Sequence, residues 1–429
     1  MSDGTTRRGL LATLAVTGVA GCSGVDELPG VDRDRTIESR RLPSVGVDDS
    51  TPETRRERPV APAFPVSVAA AQFRRHHDRV TTLLAELPTP LSAATVPNGR
   101  VRTEIAAAVR DATTALADAR AAQTERVALR RLRDARSEAG YAAAGWGFAT
   151  GEREPTAVQA SLDEVVDEAR ETRTEHERVA GEPVVAAVGH ATVEFLLERA
   201  ADRHAANADS RLLRVAETGG ATERARAALA DARHLDERLA ETGDERHTER
   251  IRAAAERLSD RFRERQSEVT TPTPAPDRSL GSETVRELDR VATAAVGSVA
   301  TADGPATALL TSTHELATLS AFETITDRVA AGDLDRVESA AWVRRRREAA
   351  ATAVESALGD APAPALARPT VVDAGRRLGY GDRRIARLRD RNDVPPGRLF
   401  EPVADYVVAE TLADAAGEAS AAAADTLRD

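Results

Sequence analysis

Val101-Arg102-Thr103-Glu104-Ile105-Ala106-Ala107-Ala108-Val109-Arg110-Asp111-Ala112-Thr113-Thr114-Ala115-Leu116 decides the fold. Val101, Ile105, Val109, Ala112 and Leu116 recur at steps of four, four, three and four, which lays them on one stripe of a helix. Arg102, Glu104, Arg110 and Asp111 fall mostly off that stripe. Ile251, Ala255, Leu258 and Phe262 repeat the pattern, flanked by Arg and Glu. Alanine, arginine, leucine and glutamate, all strong helix formers, dominate from about Val66 onward. No run of alternating β-branched or aromatic residues suggests a sheet. The expectation is an all-α fold, an antiparallel helical bundle or array.

Proline and glycine punctuate the helices. Pro88 and Pro90 end the first, and Gly151 to Pro155 ends a second that runs on from the stretch quoted above. Gly181-Glu182-Pro183 ends the third, and Gly219-Gly220 and Thr242-Gly243-Asp244 break those that follow. Short loops between helices put neighbours antiparallel. Val269-Thr270-Thr271-Pro272-Thr273-Pro274-Ala275-Pro276 reads as a semi-rigid linker, with helix resuming near an N-cap at Ser282. Further breaks are expected at Asp303-Gly304-Pro305, Gly332-Asp333, Pro362 to Pro369 and Pro395-Pro396.

At the N-terminus, Arg7-Arg8 precedes an apolar run from Leu10 to Ala20, followed by Gly21 and Cys22. Eleven helical residues rise about 16 Å, against roughly 30 Å of bilayer core, so the run is a signal h-region and no membrane span. Thr6-Arg7-Arg8-Gly9-Leu10-Leu11 resembles a twin-arginine export signal, and Val19-Ala20-Gly21-Cys22 resembles a prokaryotic lipobox. The resemblance implies cleavage before Cys22, a covalent lipid on its thiol and a place on the outer face of the cell membrane. Cys22 is the only cysteine, so it has no intramolecular disulfide partner. Residues 23–63 carry Pro29, Pro43, Pro52, Pro59 and Pro62 among many charges, and read as a disordered stalk. About forty residues of coil span roughly 35 Å. The expected order is signal peptide 1–21, lipidated cysteine and stalk 22–64, helical domain 65–268, linker 269–281 and helical domain 282–429.

All 59 basic residues are arginine, against 70 acidic ones, for a net charge of −11. This acidic, lysine-free composition resembles that of haloarchaeal proteins, and GC-rich coding is the competing account. The acidity argues against nonspecific nucleic-acid binding, which needs clustered positive charge. Arg344 to Arg347 is read as a solvated helix face. Aromatics make up 3% of the chain, too few for a sugar- or base-stacking cleft of ordinary kind.

Among eight histidines, His190 and Glu194 are the candidate metal ligands, four apart on one helix face with Glu198 a turn further. The segment resembles the Gly-x-His-x-x-Glu element of imelysin-type lipoproteins but departs from it in both spacings. A metal there also needs ligands from another helix, which spacing does not identify. Asp231-x-x-His234 and Asp244-x-x-His247 place an acid three residues before a histidine, on flanks charged enough to read as exposed. His76-His77 reads as a polar helix face. Tyr141 to Phe148 sets Tyr141, Trp146 and Phe148 among small residues, read as core packing, with Trp342 and Tyr406 as possible equivalents in the second half. No nucleophile elbow, phosphate loop or dinucleotide turn is present, so no catalytic residue and no cofactor beyond the lipid is assigned. The favoured function is a structural or protein-interaction module docking an envelope partner. A metal or small-ligand binding protein stands second, and an enzyme last.

Overall fold

Helices begin where a side chain can take a backbone N–H left unpartnered in the first turn, or where a proline removes one. A computed structural model describes residues 36–44, 60–88, 90–203, 206–269, 279–289, 302–391 and 393–429. In chain order its elements are β1 (Ile37–Glu38), α1 (Ala70–Ala85), α2 (Gly99–Arg120), α3 (Glu125–Ala149), α4 (Pro155–Glu175), β2 (Val179–Ala180), α5 (Pro183–Ala201), α6 (Arg211–Ala240), β3 (Glu245–Arg246) and α7 (Thr248–Glu268). A helical segment at 280–289, α8, follows. The rest are α9 (Pro305–Ala330), α10 (Ala340–Asp360), α11 (Pro364–Arg389), β4 (Asp393–Val394) and α12 (Phe400–Arg428). Asn98, Thr124, Ser210 and Ser339 cap α2, α3, α6 and α10 through their side chains, and prolines open α4, α5, α9 and α11.

The fold is all-α. In the first half α6 lies against α3, α4 and α5; α2 packs on α3, and α1 packs on α3 while reaching α6 through His76 and Arg79. In the second, α12 is the central helix, flanked by α9, α10 and α11. The halves meet where α5 and α7 pack on α9. One core runs through the junction, taking in Leu129, Val193, Leu235, Leu258, Leu316 and Leu427. A second, around Trp342, Val371 and Tyr406, fills the far end. Two antiparallel ladders of two residues each, β1 with β4 and β2 with β3, pin loops to the bundle. Among the described residues, no helix is long and apolar enough to cross a membrane.

The structure corrects several expectations. Gly219-Gly220 does not break a helix: α6 runs through it. A Cβ on Gly219 would stand 2.2 Å from the Ala144 Cβ and 2.9 Å from the Gly140 carbonyl oxygen. The pair therefore lets α3 and α6 touch backbone to backbone, and contacts outweigh the roughly 1 kcal/mol per glycine lost in helix propensity. The break falls earlier, between Ala201 and Arg211. The second helix is in fact two, α2 and α3, separated at Thr124, whose hydroxyl donates to the Pro62 carbonyl at 2.7 Å. Pro369 lies inside α11, which starts at Pro364. The N-cap preceding α8 is Ser279, whose Oγ accepts from Ser282 N at 3.1 Å.

The expected stalk is partly packed. Ile37 and Leu42 are buried in the second core, and the Ser39 hydroxyl donates to the carbonyls of Arg389 and Arg391. Phe64 and Val66 rest on the first core. A few apolar residues among the charges suffice to anchor these pieces to a surface already formed. The export signal with Arg7 and Arg8, Cys22, most of the stalk and linker residues 270–278 lie outside the described residues. The Tyr141–Phe148 segment does pack, but inversely to expectation. Ala142, Ala143 and Ala144 are fully buried, while its three rings are only half-buried around them.

Candidate metal centre

Three ligand-type side chains from three helices converge beside the β2–β3 ladder. His176 is the residue that ends α4, His190 lies mid-way along α5 and Asp236 sits near the end of α6. Their ligand atoms all lie within 4.8 Å of one another, the only such group of histidines and acids among the described residues. Asp236 Oδ1 is 3.4 Å from His176 Nδ1 and 3.5 Å from His190 Nδ1. Bonds of about 2.0–2.1 Å to a tetrahedral ion put ligand atoms about 3.3–3.4 Å apart, so both edges fit.

Hydrogen bonding fixes the tautomer of His190. Its Nε2 is 3.1 Å from the Val179 carbonyl, which can only accept, so Nε2 carries the proton. Nδ1 then presents a bare lone pair, buried and without a hydrogen-bond partner, toward the Asp236 carboxylate. The His190 lone pair is cut off from water, and two acceptors facing each other repel unless a cation lies between them. A second-shell carbonyl on the far nitrogen is also how metal-ligating histidines are held. His176 Nε2 is buried without a partner as well.

The electrostatics agree. Burial pushes His176 down to about 3, with His190 and Arg178 adding to the effect. Burial lowers His190 to about 4, against the hydrogen bond to Val179. Burial raises Asp236 to about 6, helped by Glu237 and opposed by Arg178. At neutral pH two uncharged imidazoles thus face an under-solvated carboxylate. Arg178, the nearby cation, is already committed to Glu194, at 2.7 Å. Asp236 keeps 44% of its side chain exposed, which opens the group to solvent on one side. His176 also borders a cleft of about 480 Å³ with Arg173, Arg178, Glu198 and Asp303.

Of the pair singled out from the sequence, His190 belongs to this centre and Glu194 does not. Glu194 is buried but turned toward the second half, accepting from the backbone N–H groups of Ala306 and Thr307 and from the Thr307 hydroxyl. Glu198 pairs with Arg173 at the surface. His176 and Asp236 were missed because their partners are far along the chain. Only a sequence signal for helix register could have revealed them.

The other histidine motifs have structural roles. Asp231 is fully buried and accepts from Gln72, His76 and Arg133 at 2.7, 2.7 and 2.6 Å. His76 is thus a core residue, not part of an exposed polar face. His234 accepts from the Ala69 N–H at 3.1 Å, while His247 Nε2 donates to the Ala180 carbonyl at 3.0 Å. Neither is on an exposed face, because each ties a loop or helix start to the bundle. His204 lies outside the described residues.

Two protein-family models match the chain, each described as a domain of unknown function: DUF8262 over residues 71–245 and DUF8264 over residues 248–425. No curated protein and no solved structure matches it. The two matches meet ahead of α7, not at the Thr-Pro linker. All three ligand-type residues fall within the first match.

Proposed function

We propose that this chain is an exported, lipid-anchored protein of the cell envelope whose helical body binds a first-row transition metal ion through His176, His190 and Asp236. The observation that carries the metal reading is the proton-free Nδ1 of His190 facing Asp236 Oδ1 at 3.5 Å in a buried setting. Two imidazoles and one carboxylate suit zinc or its neighbours better than magnesium or calcium, which prefer all-oxygen sites. The exposed side of Asp236 leaves room for an exchangeable fourth ligand. Three convergent ligand atoms are not something a docking surface requires, which sets metal binding ahead of the partner-docking module. Anchoring rests on Arg7-Arg8 and the Val19 to Cys22 lipobox pattern.

The test is a zinc titration of the chelator-treated full-length chain, followed by calorimetry. One equivalent is expected to bind, with His190→Ala and Asp236→Ala each weakening affinity at least about a hundredfold, since losing a ligand costs no less than losing the outer-shell partners that orient one. Magnesium in excess is expected to leave the affinity unchanged. Wild-type affinity in His190→Ala would remove the site. For the anchor, intact mass of the membrane-extracted protein is expected to show cleavage before Cys22 and a lipid adduct. Cys22→Ser is expected to move the protein to the soluble fraction; if it stays processed and membrane-bound, the anchor lies elsewhere.

A further inference from the structure

A second cavity lies on another face of α5, independent of the metal reading. It holds about 320 Å³ and is bordered by the strap at Pro62-Ala63, the start of α3, and helices α5, α9 and α11. Its walls are mainly apolar, with Val188, Phe195, Leu310 and Val372 among them, and Phe195 is one of only two exposed large hydrophobic side chains among the described residues.

Two arginines line this apolar space, Arg126 and Arg368. Among the described residues neither has a carboxylate within ion-pair distance. Arg126 stacks over the Phe64 ring, with its guanidinium carbon 5.8 Å from the centroid. Its sequence neighbour Glu125 is occupied elsewhere, accepting from the Val68 N–H at 2.9 Å. Arg368 donates one N–H to the Ala61 carbonyl at 3.2 Å. Guanidinium groups in apolar surroundings are costly unless an anion joins them. Burial, with Arg130 and Arg133 nearby, pushes Arg126 down to about 10. That shift marks an unmet demand for negative charge.

We infer that this cavity is a binding site for an amphiphile with a single anionic head and one apolar chain of medium length, the head between Arg126 and Arg368 and the chain along Val188, Phe195, Leu310 and Val372. At about 30 Å³ per heavy atom, taking water as the yardstick, the space accommodates roughly ten heavy atoms. An eight-carbon monocarboxylate has that size. The two arginines on the lining select the sign of the head, and the walls select for a chain over a bare ion. The strap at Pro62-Ala63 closes one side of the cavity, so a ligand also contacts the segment leading back to the N-terminus.

Octanoate titrated into the delipidated full-length chain tests this, with octylammonium and acetate as controls. Octanoate is expected to saturate at one equivalent with Kd on the order of 1 mM or tighter. Octylammonium and acetate are expected to bind at least tenfold more weakly. Arg368→Gln, at a half-buried position, is expected to weaken octanoate binding at least tenfold with only a small drop in the thermal midpoint from the lost Ala61 contact; Arg126→Gln is expected to do the same to affinity. Should Arg126→Gln fail to fold, Arg368→Gln and the octylammonium comparison decide. Equal affinity for octanoate and octylammonium, or unchanged octanoate affinity in Arg368→Gln, overturns the assignment.

Discussion

Glu194→Ala is expected to destabilise the protein by about 3–5 kcal/mol, the cost of removing one partner from a buried ion pair. Glu194 is 2% exposed and Arg178, which donates to it through Nε and Nη2, is 12% exposed. Removing the carboxylate leaves a buried guanidinium without its anion. It also strips the start of α9 of its acceptor, since Ala306 N and Thr307 N both donate to Glu194 at 3.2 and 2.7 Å. A negative charge at a helix N-terminus is favourable in itself. The carboxylate comes from α5 and the helix it caps belongs to the second half, so the loss falls on the junction. Urea unfolding measures the size of the effect. Hydrogen exchange locates it: amides at the start of α9 are expected to exchange faster by a larger factor than those of α2. A loss below about 1 kcal/mol would mean that water or a shifted side chain replaces the clamp. Zinc affinity in this variant, measured where it remains folded, is expected to fall less than in Asp236→Ala, since the ligands are kept and only the freed Arg178 competes for Asp236.

How far the sequence disclosed all this depends on the range of each interaction. Helix identity is local, and the stripe Ile251, Ala255, Leu258, Phe262 is wholly buried as its spacing requires. Glycine is ambiguous because one property has two uses. Lack of a side chain loosens a helix, and it also admits a neighbouring backbone. Gly219-Gly220 serves the second use, and only the position of Ala144, on a different helix, decides that. Histidines show the same limit. His190 was recognisable as a ligand type, yet its true companions are Asp236 and His176, contributed by helices whose rotation about their axes no local pattern sets. The sequence around His76 reads as a surface because Arg74, Arg75 and Asp78 flank it. In the structure those charges point outward while His76 faces Asp231. Composition reports a neighbourhood, and a helix divides that neighbourhood between two faces.

Glu223→Gln carries the same argument into pH. Glu223 is 3% exposed and accepts hydrogen bonds from two guanidinium groups, Arg136 through Nε and Nη2 at 3.1 and 2.7 Å and Arg79 through Nε and Nη2 at 3.1 and 2.5 Å, with Arg226 a third cation at 3.7 Å. Burial alone would raise its pKa, but the hydrogen bonds and charges of Arg79 and Arg136 outweigh burial and hold it below the usual glutamate range. A carboxylate whose pKa is depressed on folding contributes stability above its unfolded value, about 4.3, and loses that contribution as pH falls through the folded value. Glutamine keeps the shape but turns an N–H₂ donor toward a guanidinium, so at pH 7 a loss of about 3–5 kcal/mol is expected. As pH falls below about 4.3 the unfolded chain takes up the proton first, so the advantage over glutamine shrinks progressively until Glu223 in the folded protein, held lower by Arg79 and Arg136, is protonated too. Urea midpoints of both proteins at pH 7 and at about pH 3 measure this directly. The gap between them is expected to be large at the first and reduced at the second. Asp231 is also held down by its partners, but it is unchanged in the variant and moves both proteins alike. A gap that stays constant with pH would mean that Glu223 acts through packing, with its charge contributing nothing. A gap that closes would make the contact between α3 and α6 an electrostatic joint as well as a glycine-mediated one. Gly140 would then owe its missing side chain to Glu223 as well: a Cβ there would stand 2.7 Å from the Glu223 Cγ, inside the space the buried glutamate needs.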